Sequence, residues 1–188
     1  MSEIMRSAWP GAEFTGFVQV SEAGLQGMIT LRGDLAAPKL ATALKAATGC
    51  AMPVTRKITR DGAHSLVWMS PDELLILCPH GDAPALTDRL SREMAGEFVT
   101  LANVSDARAM FRVTGAMWRD ALAKLCPVDF STLDTGDIRR TRAAQIAAAI
   151  LVTDAQEAQI ICFRSVAGYM FDLLSIAAAP GAEPALYV

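Results

Sequence analysis

Two stretches of this sequence pass through the same succession of periodicities, and that recurrence constrains the fold more tightly than any single motif. Leu25-Gln26-Gly27-Met28-Ile29-Thr30-Leu31 reads as a strand, closed by Arg32-Gly33-Asp34. A helix follows, because Pro38 is tolerated in a first turn and Leu40, Ala43, Leu44 and Ala47 recur at helical spacing. Gly49 stands where a left-handed C-terminal cap is wanted. Strands over His64–Met69 and Leu74–Pro79 flank Ser70-Pro71-Asp72-Glu73, whose proline suits a type I turn, so a hairpin is expected. Leu86, Leu90 and Met94 lie four apart and predict a helix over 83–95, and 98–104 supplies a closing strand.

The second stretch begins with Ala107–Val113, where Arg108, Met110 and Arg112 alternate with Ala109, Phe111 and Val113, the period of a half-buried strand. Trp118, Leu122 and Leu125 form one helical stripe, and Pro127 stops the helix soon after. Gln145–Val152 is alanine-rich, which favours helix by propensity, yet it leads into Ile150-Leu151-Val152-Thr153 and a turn opposite Gln159–Phe163, so it reads as a strand. Met170, Leu173, Leu174 and Ala177 close the stretch with a helix over 166–178. The expected fold class is α+β: two successive ferredoxin-like β-α-β-β-α units. Pro10, Gly11 and Gly16 break any period near the start, so residues 1–20 are expected to be an irregular arm. The first unit is then 21–104 and the second 105–188, closely packed on the first because no linker composition separates them.

Composition narrows the function. Of 188 residues 52% are hydrophobic, enough for a sizeable core, which excludes general disorder. Seventeen Lys plus Arg against 20 Asp plus Glu give a net charge of −3, with no overall footprint for nucleic acid or an anionic membrane. The longest nearly unbroken apolar run, 143–152, is about half a membrane span, and Glu3, Arg6 and Glu13 interrupt any apolar leader, so a cytoplasmic protein is expected. Cys50, Cys78, Cys126 and Cys162 are widely spaced among apolar neighbours, which points to reduced core thiols and not to a metal site.

Chemistry-bearing motifs are sparse. His64 and His80 sit in no nucleophile–base signature, and neither a GxGxxG nor a GxxxxGK[ST] phosphate cradle is present. The acid pairs Asp72-Glu73 and Asp134/Asp137 flank turns and are expected to be solvated. Arg139, Arg140 and Arg142, with Arg108, Arg112 and Arg119, concentrate guanidinium groups in the second half, as either an interface or a solvated strand edge. Trp68 and Trp118 fall on apolar faces and are expected in the core; Trp9, in the arm, is expected to dock on a partner.

The segments Val104-Ser105-Asp106-Ala107-Arg108, Phe111-Arg112-Val113-Thr114-Gly115, Leu122 to Phe130, Arg140 to Ile146 and Cys162 to Val166 resemble the gamma subunit of heterotetrameric sarcosine oxidase. Ser21-Glu22, Leu31-Arg32-Gly33 and Trp68 to Leu75 extend the resemblance over nearly the whole chain. It implies a fold similar to the folate-binding domain of aminomethyltransferases. It further implies a noncatalytic assembly subunit of a complex that oxidatively demethylates sarcosine to glycine, the one-carbon unit passing to tetrahydrofolate. FAD, FMN, NAD, tetrahydrofolate and zinc are then expected in the alpha, beta and delta subunits, with no catalytic, cofactor-binding or metal residue in this chain. The rival implication is a stand-alone folate-binding module or aminomethyltransferase-like enzyme, for which Asp172 is the candidate carboxylate; the polar face of a helix also explains an acid there.

Overall fold

The computed structural model describes residues 5–187. Its elements in chain order are β1 (Glu13–Thr15), β2 (Gln19–Glu22), β3 (Gln26–Arg32), α1 (Pro38–Thr48), β4 (Ile58–Asp61), β5 (His64–Ser70), β6 (Glu73–Pro79), α2 (Ala83–Glu93) and β7 (Thr100–Asn103). They continue as β8 (Arg108–Thr114), α3 (Trp118–Ala123), β9 (Ile138–Ala143), β10 (Ile146–Asp154), β11 (Glu157–Phe163) and α4 (Ala167–Ala177). The chain divides into two compact units, a continuous one over Leu25–Ser105 and a discontinuous one that joins the described residues up to Gly24 to those from Asp106 onward.

In the continuous unit the sheet order is β4-β5-β6-β3-β7, with every neighbouring pair antiparallel. Leaving aside the edge strand β4, the order is that of the split β-α-β arrangement, in which β6 is inserted between the two strands joined by α1. Strand alternation puts Ile29, Leu31, Leu66, Leu74 and Ile76 on one face, where α1 and α2 contribute Leu40, Leu44, Leu86 and Leu90. Each fully buried leucine on this face contributes about 1.5–3 kcal/mol relative to exposure. Helix α1 begins with Pro38 and ends at Gly49, whose φ of 77° lets its N–H reach the Lys45 carbonyl at 2.9 Å. A Cβ at Gly49 would also run into the Asp61 carboxylate.

In the discontinuous unit the order is β1-β2-β8-β11-β10-β9, again antiparallel throughout. Here β2, β8, β11 and β10 repeat the pattern of β7, β3, β6 and β5, with β9 in the place of β4. The strand beside β8 comes from residues 19–22, paired Val20 to Val113 and Gln19 to Thr114. The expected irregular arm over 1–20 and the expected units 21–104 and 105–188 are therefore corrected. Residues 13–15 and 19–22 are strands of the second unit's sheet, and the first unit is nested inside the chain of the second. The physical reason is the core: Val18 and Val20 bury with Phe111, Val113, Trp118 and Met170, which a solvent-facing arm would not permit.

Candidate functional site

The arginine-rich segment forms β9, an edge strand. Its register on β10 sets Arg139 opposite Ile150 and Thr141 opposite Ala148, on the helix-covered face, whereas Arg140 and Arg142 stand opposite Ala149 and Ala147 on the other face. By the β8–β11–β10 register, Arg108 and Arg112 share that second face with Arg140 and Arg142. The cluster is thus split by the pleat. Arg119 is used within its own unit, donating to the Leu133 carbonyl at 3.0 Å and lying 4.4 Å over the Trp118 ring. Arg108 lies 4.4 Å over Phe163.

Trp9 is not left to a partner alone. The segment before β1 is tied to its own unit: the Ser7 hydroxyl and the Trp9 N–H both donate to Glu22, at 2.8 and 3.1 Å. Arg164 donates to the carbonyls of Arg6 and Ser7 at 2.8 and 3.1 Å. The Trp9 ring lies so close to Gly168, at the start of α4, that a Cβ there would be 3.2 Å from it, and 47% of Trp9 remains exposed. Trp118 is wholly buried and its indole N–H donates to the Ala155 carbonyl at 3.1 Å, while Trp68 is only half-buried.

The titratable candidates take structural positions. Glu73 is buried and receives the Arg32 guanidinium at 2.7 Å; Asp137 is buried and accepts the Asp134 N–H at 2.8 Å. These two acids are therefore not the solvated turn carboxylates expected, because Glu73 pairs across the sheet with Arg32 and Asp137 closes its turn from the inside. His64 opens β5 and His80 the turn into α2. Asp172 is exposed on α4. All four cysteines are buried free thiols. Burial pushes the Cys126 thiol up to about 12 and that of Cys162 to about 11, the latter against the Arg108 charge. Burial, assisted by the Asp82 charge, raises Cys78 to about 11. Neutral thiols of this kind are poor nucleophiles at neutral pH. Asp120, which periodicity did not single out, is completely buried in α3 and accepts the Leu186 N–H at 2.6 Å, anchoring the segment after α4.

Among the described residues no three His, Cys, Asp or Glu side chains come together in a way that could hold a metal ion, and no helix is long and apolar enough to cross a membrane.

Two antiparallel sheets of the split β-α-β order, each covered by a pair of helices, place this chain in the class of tandem ferredoxin-like α+β proteins. The same fold, at 12% identity and a TM-score of 0.61, occurs in the glycine cleavage system aminomethyltransferase T from Bartonella henselae; the match covers 82% of this chain and 44% of that one. A chain of the heterotetrameric sarcosine oxidase from Corynebacterium sp. U-96, solved in complex with pyrrole 2-carboxylate, is similar over 88% of this chain and 87% of its own, at 24% identity and a TM-score of 0.79. The family model for the sarcosine oxidase gamma subunit matches residues 32–180, and the chain belongs to that family. No curated protein matches the sequence significantly.

Proposed function

We propose that the chain acts as a noncatalytic assembly subunit in a cytoplasmic heterotetrameric sarcosine oxidase. Its partners in this reading are alpha, beta and delta subunits that hold FAD, FMN, NAD, tetrahydrofolate and zinc. Together they oxidatively demethylate sarcosine to glycine and pass the one-carbon unit to tetrahydrofolate. The observation that carries the reading is membership of the gamma subunit family over residues 32–180. It is supported by the use to which this chain puts its reactive side chains: thiols held protonated by burial, and acids spent on turns and an internal ion pair. The exposed Arg140 and Arg142 on an edge strand, and the half-exposed Trp9 fixed in place by Glu22, suit contact with other subunits.

The test is co-expression of the flavoprotein subunits with and without this chain. Omission is expected to lower the yield of assembled complex, its flavin content and its sarcosine turnover together. Unchanged assembly, flavin content and turnover would refute the reading. Calorimetric titration of the purified chain with tetrahydrofolate is expected to give no heat of binding, and micromolar affinity would transfer the assignment to a folate-binding module.

A further inference from the structure

The continuous unit carries two adjoining hollows on its helix-covered side. The connection from β3 to α1, the segment after Cys50 and the β5–β6 turn enclose an open groove of about 550 Å³, floored by Trp68 and walled by Leu35, Met52 and Val54. A second hollow of about 210 Å³ is lined by Met94 and Phe98. Asp34 lines both. The rims are unusually apolar for exposed positions, since Phe98 is wholly exposed and Val54 is 71% exposed.

Charge separates Asp34 from the other acids nearby. Glu97 is paired with Lys39 at 2.8 Å, and Asp72 with Arg32 at 3.6 Å. The Asp34 carboxylate accepts the Ala36 N–H at 2.9 Å, its backbone carbonyl accepts the Ala37 N–H at 3.1 Å, and among the described residues no Lys or Arg is paired with it. An apolar trough with one uncompensated carboxylate at its midpoint is complementary to a chain segment of opposite design: one cation flanked by apolar side chains.

We propose that this double groove receives an apolar segment of a partner subunit, whose single lysine or arginine pairs with Asp34 while its flanking side chains fill the hollows over Trp68 and against Phe98. This rests on the assembly reading and adds to it a place and a chemistry. The Trp68 ring and Phe98 supply rigid apolar area of the kind that dominates interface energetics, and Asp34 sets the register of the incoming segment.

The test compares wild-type, Asp34→Lys and Phe98→Ser full-length chains, each co-expressed with the flavoprotein subunits, by titrated capture of the assembled complex. Both side chains are exposed, so both variants are expected to melt with the wild type. Each is expected to weaken association by at least about tenfold. Asp34→Lys should also slow the association rate more at low salt than at high salt. Association within about twofold of wild type in either variant overturns the proposal. So does concentration-dependent self-association of the isolated chain that Phe98→Ser abolishes, which would give the groove to a second copy. Failure of the wild-type chain itself to associate would instead remove the assembly reading, a result distinguishable from variant-specific outcomes.

Discussion

The two units reach the same strand order by different routes through the chain. In the continuous unit the fourth strand of the pattern, β7, follows α2 directly and pairs with β3. In the discontinuous unit the described residues after α4 form no such strand, and β2, from far upstream, occupies the place beside β8. The Ala178 carbonyl after α4 accepts the Phe17 N–H at 3.0 Å, so the end of the helix abuts the segment that leads into the strand replacing its natural successor. The comparison teaches that an exposed β8 edge and an uncovered core are what must be remedied, and that chain proximity is secondary. Loop-closure entropy grows only with the logarithm of loop length, so a distant strand costs little more than a near one.

The largest expected effect tests that comparison directly. Val20→Asp places a carboxylate in the core opposite Val113 and is expected to cost about 3–5 kcal/mol. Amide exchange should then accelerate in β8, β11 and α4 while β3, β5 and β6 keep their protection. Equal loss of protection in both units would break the comparison.

A smaller effect separates the units by pH. The unfolded chain ionises its thiols near pH 9, whereas the folded chain keeps Cys78 and Cys162 protonated to about 11 and Cys126 to about 12. Above pH 9 the folded state therefore binds more protons, and its stability, fully present below that pH, falls as the pH rises toward 11–12. Two of these thiols lie in the discontinuous unit and one in the continuous unit. Alkaline exchange measurements should show the discontinuous unit opening first, and Cys126→Ala should flatten its pH dependence.

The smallest effect concerns matching hairpins. The β4–β5 turn begins with Gly62 at φ 54°, and the β9–β10 turn begins with Ala144 at φ 49°. An L-residue is strained in that region and glycine is not. Ala144→Gly is expected to stabilise the protein by about 0.5–1 kcal/mol, and Gly62→Ala to destabilise it by a similar amount, read from chemical denaturation midpoints.

Elements with a buried face were legible in the sequence because burial imposes a period. Leu40, Leu44, Leu86 and Leu90 mark their helices, Phe111 and Val113 their strand, and Gly49 its cap. The alanine-rich 145–152 segment was resolved as strand by its β-branched end, and β10 spans Ile146–Asp154. What escaped was the short strands β1, β2 and β4, while β9 is legible only as one of two readings of its arginines, a solvated strand edge. In β9 each face mixes arginine with an apolar residue, so Ile138 and Ala143 fall on opposite sides and no alternation survives. In β2 only Val20 is buried, and its partner Val113 is fixed by tertiary packing, which leaves no local trace. The double groove was equally hidden, since Asp34, Met52, Trp68 and Phe98 come from four separate segments, each ordinary by itself.

The nested arrangement also fixes an order of events on the ribosome. Residues 25–105 emerge with every strand of their sheet already made, so that unit can close while synthesis continues. Gln19–Glu22 emerges earlier still and must wait until β8 has been translated. During that interval only β1 is at hand to pair with it and its other edge stays open to wrong partners, and its make-up limits the hazard: four residues long, polar at Gln19, Ser21 and Glu22, with Val20 alone to attract another chain.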